Sequence, residues 1–322
     1  MRRNIAGACA AVLLSATGAL AQEDYPNRTI TILVPFSPGG IVDIAARTVG
    51  EHLTERWGQQ VVVENRTGGS GFIAATAAAR AEPDGYTLLM AESGVSAINP
   101  SLYDEVPYDM QEDFRPVTMV SDTPLVLVAR ADAPFDTAEE FVAHAKENPG
   151  ELTYASAGVG TLNHLAPEWI AMEAGIEIRH IPYRGGAPAA TAVAGGEADV
   201  GVLALSSVQP FVDSGDIKIL AVARAEPIPS RPDIPTIQDA GIANVDTSQW
   251  AGLFAPAGTP DEIVEKLNSA IVEILESEEV KAQFAERGAE TVPTTPEEFA
   301  ERVERLSEQF RTIIETAGIE PN

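Results

Sequence analysis

Apolar residues along this chain follow two alternating rhythms. Thr29–Val34 (TITILV) is a short apolar run stopped by Pro35, the pattern of a buried strand. From Gly40 the period lengthens, and Ile41, Ile44, Ala45, Val49, Leu53 and Trp57 fall on one helical face. Val61–Val63 reads as the next strand and Gly71–Arg80 as an Ala-rich helix. Pro83-Asp84-Gly85 is a turn signal feeding the strand Thr87–Met90. Strands alternating with helices predict a parallel α/β sheet.

The same grammar returns beyond Val117–Arg130, a long β-rich stretch suited to crossing between domains. A capping-box pattern at Thr137-Ala138-Glu139-Glu140 opens a helix. Strand Leu152–Ala155, a helix from about Leu162, strand Glu177–Ile181, a helix from Ala187, and strands Asp199–Leu203 and Ile217–Ala223 follow. Trp250–Phe254 has the composition of a return crossover. Two later helices share one start signal, Thr259-Pro260-Asp261-Glu262 and Thr295-Pro296-Glu297-Glu298, with Thr as cap and Pro at the first helical position. The chain therefore predicts two α/β domains joined by two crossovers. Residues 22–122 with 250–322 form the first and 123–249 the second, with a cleft between them.

The first 21 residues read as an address. Arg2 and Arg3 form a basic start, Ile5 to Leu20 is apolar, and Ala19-Leu20-Ala21 is a small-residue cleavage site ahead of Gln22. The apolar run is short of the ~20 residues that span a bilayer. A cleaved secretory signal peptide, and export to the periplasm, is the expectation. A lipid anchor through Cys9 has too little apolar sequence before it, and the rest of a twin-arginine pattern is missing.

Charge narrows the partners. Lys and Arg number 21 against 48 Asp and Glu, a net charge of −27. Such a surface repels phosphate backbones, so nucleic acid is not an expected partner. The single cysteine excludes a disulfide framework and a thiolate metal site.

Four glycine-rich loops carry the candidate chemistry. Each domain has a strand, a Pro-aromatic pair, Gly-Gly and then a helix: Phe36-Ser37-Pro38-Gly39-Gly40 in one and Tyr183-Arg184-Gly185-Gly186 in the other. Gly69-Ser70-Gly71 and Ser156-Ala157-Gly158-Val159-Gly160-Thr161 also precede helices. In open α/β sheets such loops gather at the carboxyl ends of strands, where helix-start amides hold anions. Phe36 and Tyr183 would wall the pocket. Ser156, Thr161 and Asn163 would border the anion. Asp43 fits either a helix cap or a ligand contact, and His164 either packing or a contact. Arg184 would meet a ligand carboxylate or a neighbouring acid, and Asp199 would lie in the cleft or at a strand start.

At these residues the chain resembles the substrate-binding receptors of tripartite tricarboxylate transporters, the Bug-type receptors. The stretches that carry the likeness are VPFSPGGIVDIAAR (34–47), VVVENRTGGSG (61–71), PDGYTLL (83–89), INPSLY (98–103), YASAGVGTLNHLA (154–166), HIPYRGGAPA (180–189), PTIQDAG (235–241) and WAGLFAPAGTP (250–260). The resemblance implies a two-domain periplasmic clamshell that holds a small carboxylate and hands it to membrane permease subunits. A monomer with no cofactor and no metal is the expectation. Thr161 stands where Ser is more usual in that family. Ala91-Glu92-Ser93-Gly94 replaces a more polar segment, which leaves the ligand's identity open at Ser93 and its neighbours.

An enzyme reading has less to stand on. No G-x-S-x-G elbow and no H-E-x-x-H spacing is present. The alternative is an exported dinucleotide-dependent oxidoreductase, because Gly69-x-Gly71-x-x-Ala74 follows a strand and opens a helix, and Glu92 follows the next strand about 20 residues on. Four residues separate that fingerprint from its strand, and no proton relay accompanies it.

Overall fold

The computed structural model describes residues 25–229, 231–242 and 245–321. The signal-peptide reading of residues 1–21, with Cys9, falls outside the described residues. The first half runs β1 (Ile30–Val34), α1 (Ile41–Trp57), β2 (Val61–Asn65), a tight turn at Gly69–Gly71, α2 (Phe72–Ala79), β3 (Thr87–Glu92), a wide helical turn at Gly94–Ile98 and α3 (Asn99–Leu102). The long strand β4 (Phe114–Arg130) leads to α4 (Ala138–Glu147), β5 (Thr153–Ser156), α5 (Leu162–Ala174), β6 (Arg179–Pro182), α6 (Gly186–Ala194), β7 (Val200–Ala204), α7 (Leu205–Ser214) and β8 (Ile217–Val222). The chain returns through β9 (Ser248–Pro256) and ends in α8 (Asp261–Leu275), α9 (Glu278–Ala285), β10 (Glu290–Thr291) and α10 (Pro296–Ala317).

Two groups of strands share one member. In the first, β1 is parallel to β2 and β3, and β9 lies antiparallel between β3 and β4. In the second, β5 is parallel to β6 and β7, while β7 and β8 run antiparallel to β4. The first part of β4, from Phe114 to Pro124, pairs with β9; the part from Leu125 onward pairs with β7 and β8. The two expected crossovers are thus neighbours in one ladder. Helix α10 lies against β4 and against α5, so it touches both groups.

The helices form where their apolar faces find cover. Val42, Ala45, Ala46, Val49 and Leu53 of α1 pack with Ile30, Ile32 and Val34 of β1 and with Leu267 and Ile271 of α8. Phe299, Val303, Leu306 and Phe310 of α10 join Trp169 of α5 and Trp250 of β9 in the largest cluster. Each of these side chains is nearly or fully removed from water, which stabilises by roughly 1.5–3 kcal/mol per large apolar residue.

Two start signals with one sequence pattern behave differently. Thr295 accepts from the Glu298 N–H at 3.1 Å while Glu298 accepts from the Thr295 N–H at 2.9 Å, a complete capping box. Thr259 does not cap α8. It is buried, and its hydroxyl donates to the Pro256 carbonyl at 2.7 Å instead. Helix α7, with Pro210 inside it, is absent from the sequence-based expectation. A proline in mid-helix reads as a break, yet here the helix continues through it.

A polar knot sits at the middle of β4. Asp122 is buried, with Arg224 at 3.8 Å and Arg302 of α10 at 3.7 Å. Arg224 also pairs with Glu290 of β10 at 3.1 Å. Burial pushes the Asp122 carboxyl upward, and the two guanidinium groups oppose that. Removing one member of a buried ion cluster costs about 3 kcal/mol or more, because the remaining charges lose compensation. Asp122→Ala should therefore lower the stability by about 3 kcal/mol in urea unfolding. A loss below about 1 kcal/mol would show that the knot contributes little.

Candidate functional site

The carboxyl ends of β1, β3, β5 and β7 point toward one cavity of about 440 Å³. Phe36, Ser70, Glu92, Asn99, Leu102 and Tyr103 line it from the first strand group. Ala157 to Asn163, Gly186, Ala187, Ala204 and Ser207 line it from the second, apart from Gly158, and Gln249 of β9 lies between. A smaller cavity of about 230 Å³ adjoins it, sharing Phe36, Glu92 and Gln249 and adding Gly40, Ile41 and Val42.

Helices α1, α5, α6 and α7 begin at these walls, after Gly40, Thr161, Gly185 and Ala204, and none has a side-chain cap hydrogen bond. First-turn amides have no partner inside their own helix. They point outward and carry the positive end of the helix dipole. Pro188 follows Gly186 and Ala187, so α6 offers those two N–H groups and no third. Among the described residues lining the two cavities there is no Lys, Arg or His. An anion here would be held by neutral donors, the arrangement of helix-terminus anion sites.

The four loops differ in what their named residues do. Gly40 borders the smaller cavity, but Ser37 and Gly39 are exposed and line neither. Asp43 is buried away from both, accepting from the Gly39 N–H at 2.9 Å, Arg47 Nε at 2.9 Å and Asn65 Nδ2 at 2.8 Å. Burial alone would push its carboxyl up, but these donors outweigh that and hold it below the usual range. Asp43 therefore knits the loop to β2, where Asn65 also donates to the Phe36 carbonyl.

Ser70 lines the cavity, while Gly69 and Gly71 shape the turn beneath it. Ser70 adopts φ 52° and ψ 28°, the left-handed region, and no other non-glycine among the described residues has positive φ. That conformation costs roughly 1–2 kcal/mol. It is held by Asn99 Nδ2 on the Ser70 carbonyl at 2.8 Å and by a 2.8 Å hydroxyl contact with Tyr103. Backbone strain of this kind concentrates at binding sites.

In the third loop the hydroxyls turn inward, against the sequence-based picture of free donors. Ser156 is fully buried. It accepts from the Gly158 N–H at 3.1 Å and lies 2.6 Å from His180 Nε2. Thr161 lines the cavity, but its hydroxyl donates to the Gly158 carbonyl at 2.7 Å. Asn163 lines the cavity too, while its Nδ2 donates to the Val202 carbonyl at 2.8 Å. Gly158 and Gly160, at φ 137° and 73°, allow this tight loop. A Cβ at Gly160 would overlap Leu102 of the facing strand group, so glycine here lets the two walls meet.

Five further candidates lie outside both linings. His164 is buried beside the third loop, and its Nδ1 accepts from the Gly160 N–H at 3.1 Å. Tyr183 reaches Glu197 at 3.4 Å, and Arg184 is exposed. In the fourth loop it is instead Gly186 and Ala187, at the start of α6, that reach the cavity. Asp199 is the strand-start residue of the two readings. It sits at the amino end of β7, accepting from the Thr153 N–H at 2.8 Å and pairing with Arg130 at 3.1 Å. The cavity is at the opposite, carboxyl end of that strand, beside Ala204. Ser93 is fully buried, with its hydroxyl 3.4 Å from Glu92. Sequence reasoning named none of Asn99, Leu102, Tyr103, Ser207 or Gln249; Gln249 carried a signal, since it precedes the return crossover.

A family profile described as the tripartite tricarboxylate transporter family receptor matches residues 45–319. The chain belongs to this family. Its members are solute-binding receptors, and solved neighbours are periplasmic binding proteins. BugT of Bordetella pertussis is 36% identical over 280 residues, covering 87% of this chain and 86% of BugT. An R. palustris protein solved with adipate is 34% identical with a TM-score of 0.77, covering 93% of this chain and all of the other. MatC from Rhodopseudomonas palustris, solved with malate, is 30% identical with a TM-score of 0.72, covering 90% of this chain and all of MatC. No helix among the described residues of this receptor is long and apolar enough to cross a membrane.

Beneath the third loop lies a proton-sensitive stack. The His164 and His180 rings are parallel with centroids 3.8 Å apart, and Tyr154 stacks on His180 at 4.9 Å. Burial, and for His164 also its neighbour His180, lowers both imidazoles from 6.5 to about 4. The unfolded chain then takes up protons first as pH falls. Stability is lost between about 6.5 and 4, and the loss levels off below that. Melting curves across this window should show a smaller fall for the His164→Gln/His180→Gln double variant than for wild type. Equal falls would show that the pair does not link folding to pH.

Proposed function

We propose that this receptor works in the periplasm after its leader is removed, binding a small organic carboxylate between two lobes and delivering it to membrane permease subunits. The lobes are residues 22–122 with 250–322 and residues 123–249, closing about the β4–β9 ladder. The observation that carries the reading is the meeting of two uncapped helix starts, α5 and α6, at one cavity without a cation. The adipate and malate of the solved relatives agree with it. The receptor acts as a monomer and releases its ligand unchanged; no nucleophile paired with a base is found among the described residues that line the cavity.

The binding step follows from the wall chemistry. Amides fixed in helices need no reorganisation when the anion arrives, so little ordering cost offsets the hydrogen bonds. A hydrogen bond to a charged group contributes roughly 1.5–3 kcal/mol. Closure would exclude water and strengthen each of them.

Calorimetry on ligand-stripped receptor with adipate and malate tests this. At about 100 times its Kd, a cognate carboxylate should stabilise the fold by ~2.7 kcal/mol. Ala187→Asp, placing a like charge in the first turn of α6, should weaken carboxylate binding by about tenfold or more while leaving unliganded stability nearly unchanged. Wild-type affinity in that variant would move the anion site away from α6. Recovery of a chemically altered ligand would contradict the receptor reading.

A further inference from the structure

Glu92 has no task in carboxylate binding, yet among the described residues it is the one charged side chain on the walls of both cavities. It ends β3 where the two cavities meet, between Phe36 and Gln249. The groups that act on it are the Gly94 N–H and the Ser93 hydroxyl, at 3.4 Å, and no cation is among them. Tyr103 lines the same cavity, and Tyr108 behind it feels the Glu92 charge while donating to the Val95 carbonyl at 2.6 Å. Position 94 is shaped around this acid, because a Cβ there would overlap Glu92 Oε1. Glycine at 94 is what leaves the carboxyl its room.

A half-buried carboxyl on a cavity wall, with no cation beside it, is costly as an anion. Burial accordingly pushes Glu92 up, against the pull of Gly94 and Ser93. The second carboxylate of a diacid, arriving here, would meet a like group. An ammonium would supply the missing counter-charge and restore the acid's ionised form. The rest of the chain favours the same choice, since a net charge of −27 opposes a doubly anionic ligand and not a zwitterion.

We propose that the ligand of this receptor is amphoteric: a carboxylate held by the α5 and α6 amides and, at its other end, an ammonium held by Glu92. The proposal rests on the carboxylate reading above and narrows it to amino acids in the broad sense, with Glu92 as the specificity-determining residue.

The test is calorimetry at neutral pH with three pairs matched in length: 4-aminobutanoate and succinate, 5-aminopentanoate and glutarate, 6-aminohexanoate and adipate. In at least one pair the amino partner should bind about tenfold tighter than the diacid, and Glu92→Gln should remove that preference by weakening the amino partner. Tighter binding of the diacid in every pair would overturn the proposal, as would a preference that survives Glu92→Gln. The wild-type comparison stands by itself if the variant does not fold. Binding of diacids alone leaves the carboxylate reading intact and sinks only this one, whereas folded receptor that binds neither malate nor any of the six counts against both.

Discussion

Strand β4 belongs to both groups of strands, and the placement of the cavity depends on that sharing. Its first part completes one sheet through β9, and its second part supports β7 and β8. Every loop that reaches the cavity hangs from a strand positioned directly or indirectly by this one ladder. The polar side chains of Ser121, Asp122 and Thr123 sit at the handover point, three buried polar residues in a row between apolar stretches of the strand. An apolar residue at 122 would leave Arg224 and Arg302 facing each other, so the acid and the two cations specify one another. The ladder therefore contains its own ionic register mark, tying β4 to α10 and to the segment after β8.

Electrostatics in this molecule works on two scales of opposite sign. The surface as a whole is strongly acidic, while the cavity offers helix starts whose local dipoles favour an anion. Screening weakens the long-range field beyond about 8 Å at physiological salt, but it leaves buried dipoles almost untouched. A small anion that has crossed the outer shell is thus governed by the amides and not by the net charge. Glu92 adds a third element, a single acid placed where the amides are not.

Much of the architecture was legible in the residue pattern, because alternation of short apolar runs with 3.6-periodic faces leaves few topologies. The first crossover was readable as a β-rich stretch too long for an ordinary strand and the second, Trp250–Phe254, from its composition; the structure places them side by side as β4 and β9. Helix α7 was not readable, since Pro210 imitates a break that tertiary packing overrides. In the site, sequence pointed to loops but not to which atoms face inward. Ser156 and Thr161 look like donors on paper, yet each is turned to stabilise its own loop. Likewise Asp43 and Asp199 look available and are held by backbone and side-chain donors nearby. Spacing cannot reveal such competition, because it depends on which partner lies closer in three dimensions. Asn99 and Tyr103, at the start and just past the end of α3, lie 29 and 33 residues from the Ser70 they support, and no local pattern links them.

Pro188 has a consequence for valence. It removes one amide hydrogen from the start of α6, leaving Gly186 and Ala187; at the start of α5 the His164 N–H is already bonded to the Thr161 carbonyl, leaving Leu162 and Asn163. The two helices together present four free hydrogens. A carboxylate has about four lone-pair sites lying in one plane, and it can use all of them. Phosphate and sulfate carry more oxygens in a tetrahedral array, so part of their acceptor capacity would be stripped of water without replacement. Discrimination between planar and tetrahedral oxyanions can therefore be written into a backbone by the absence of a single hydrogen, with no side chain assigned to the task.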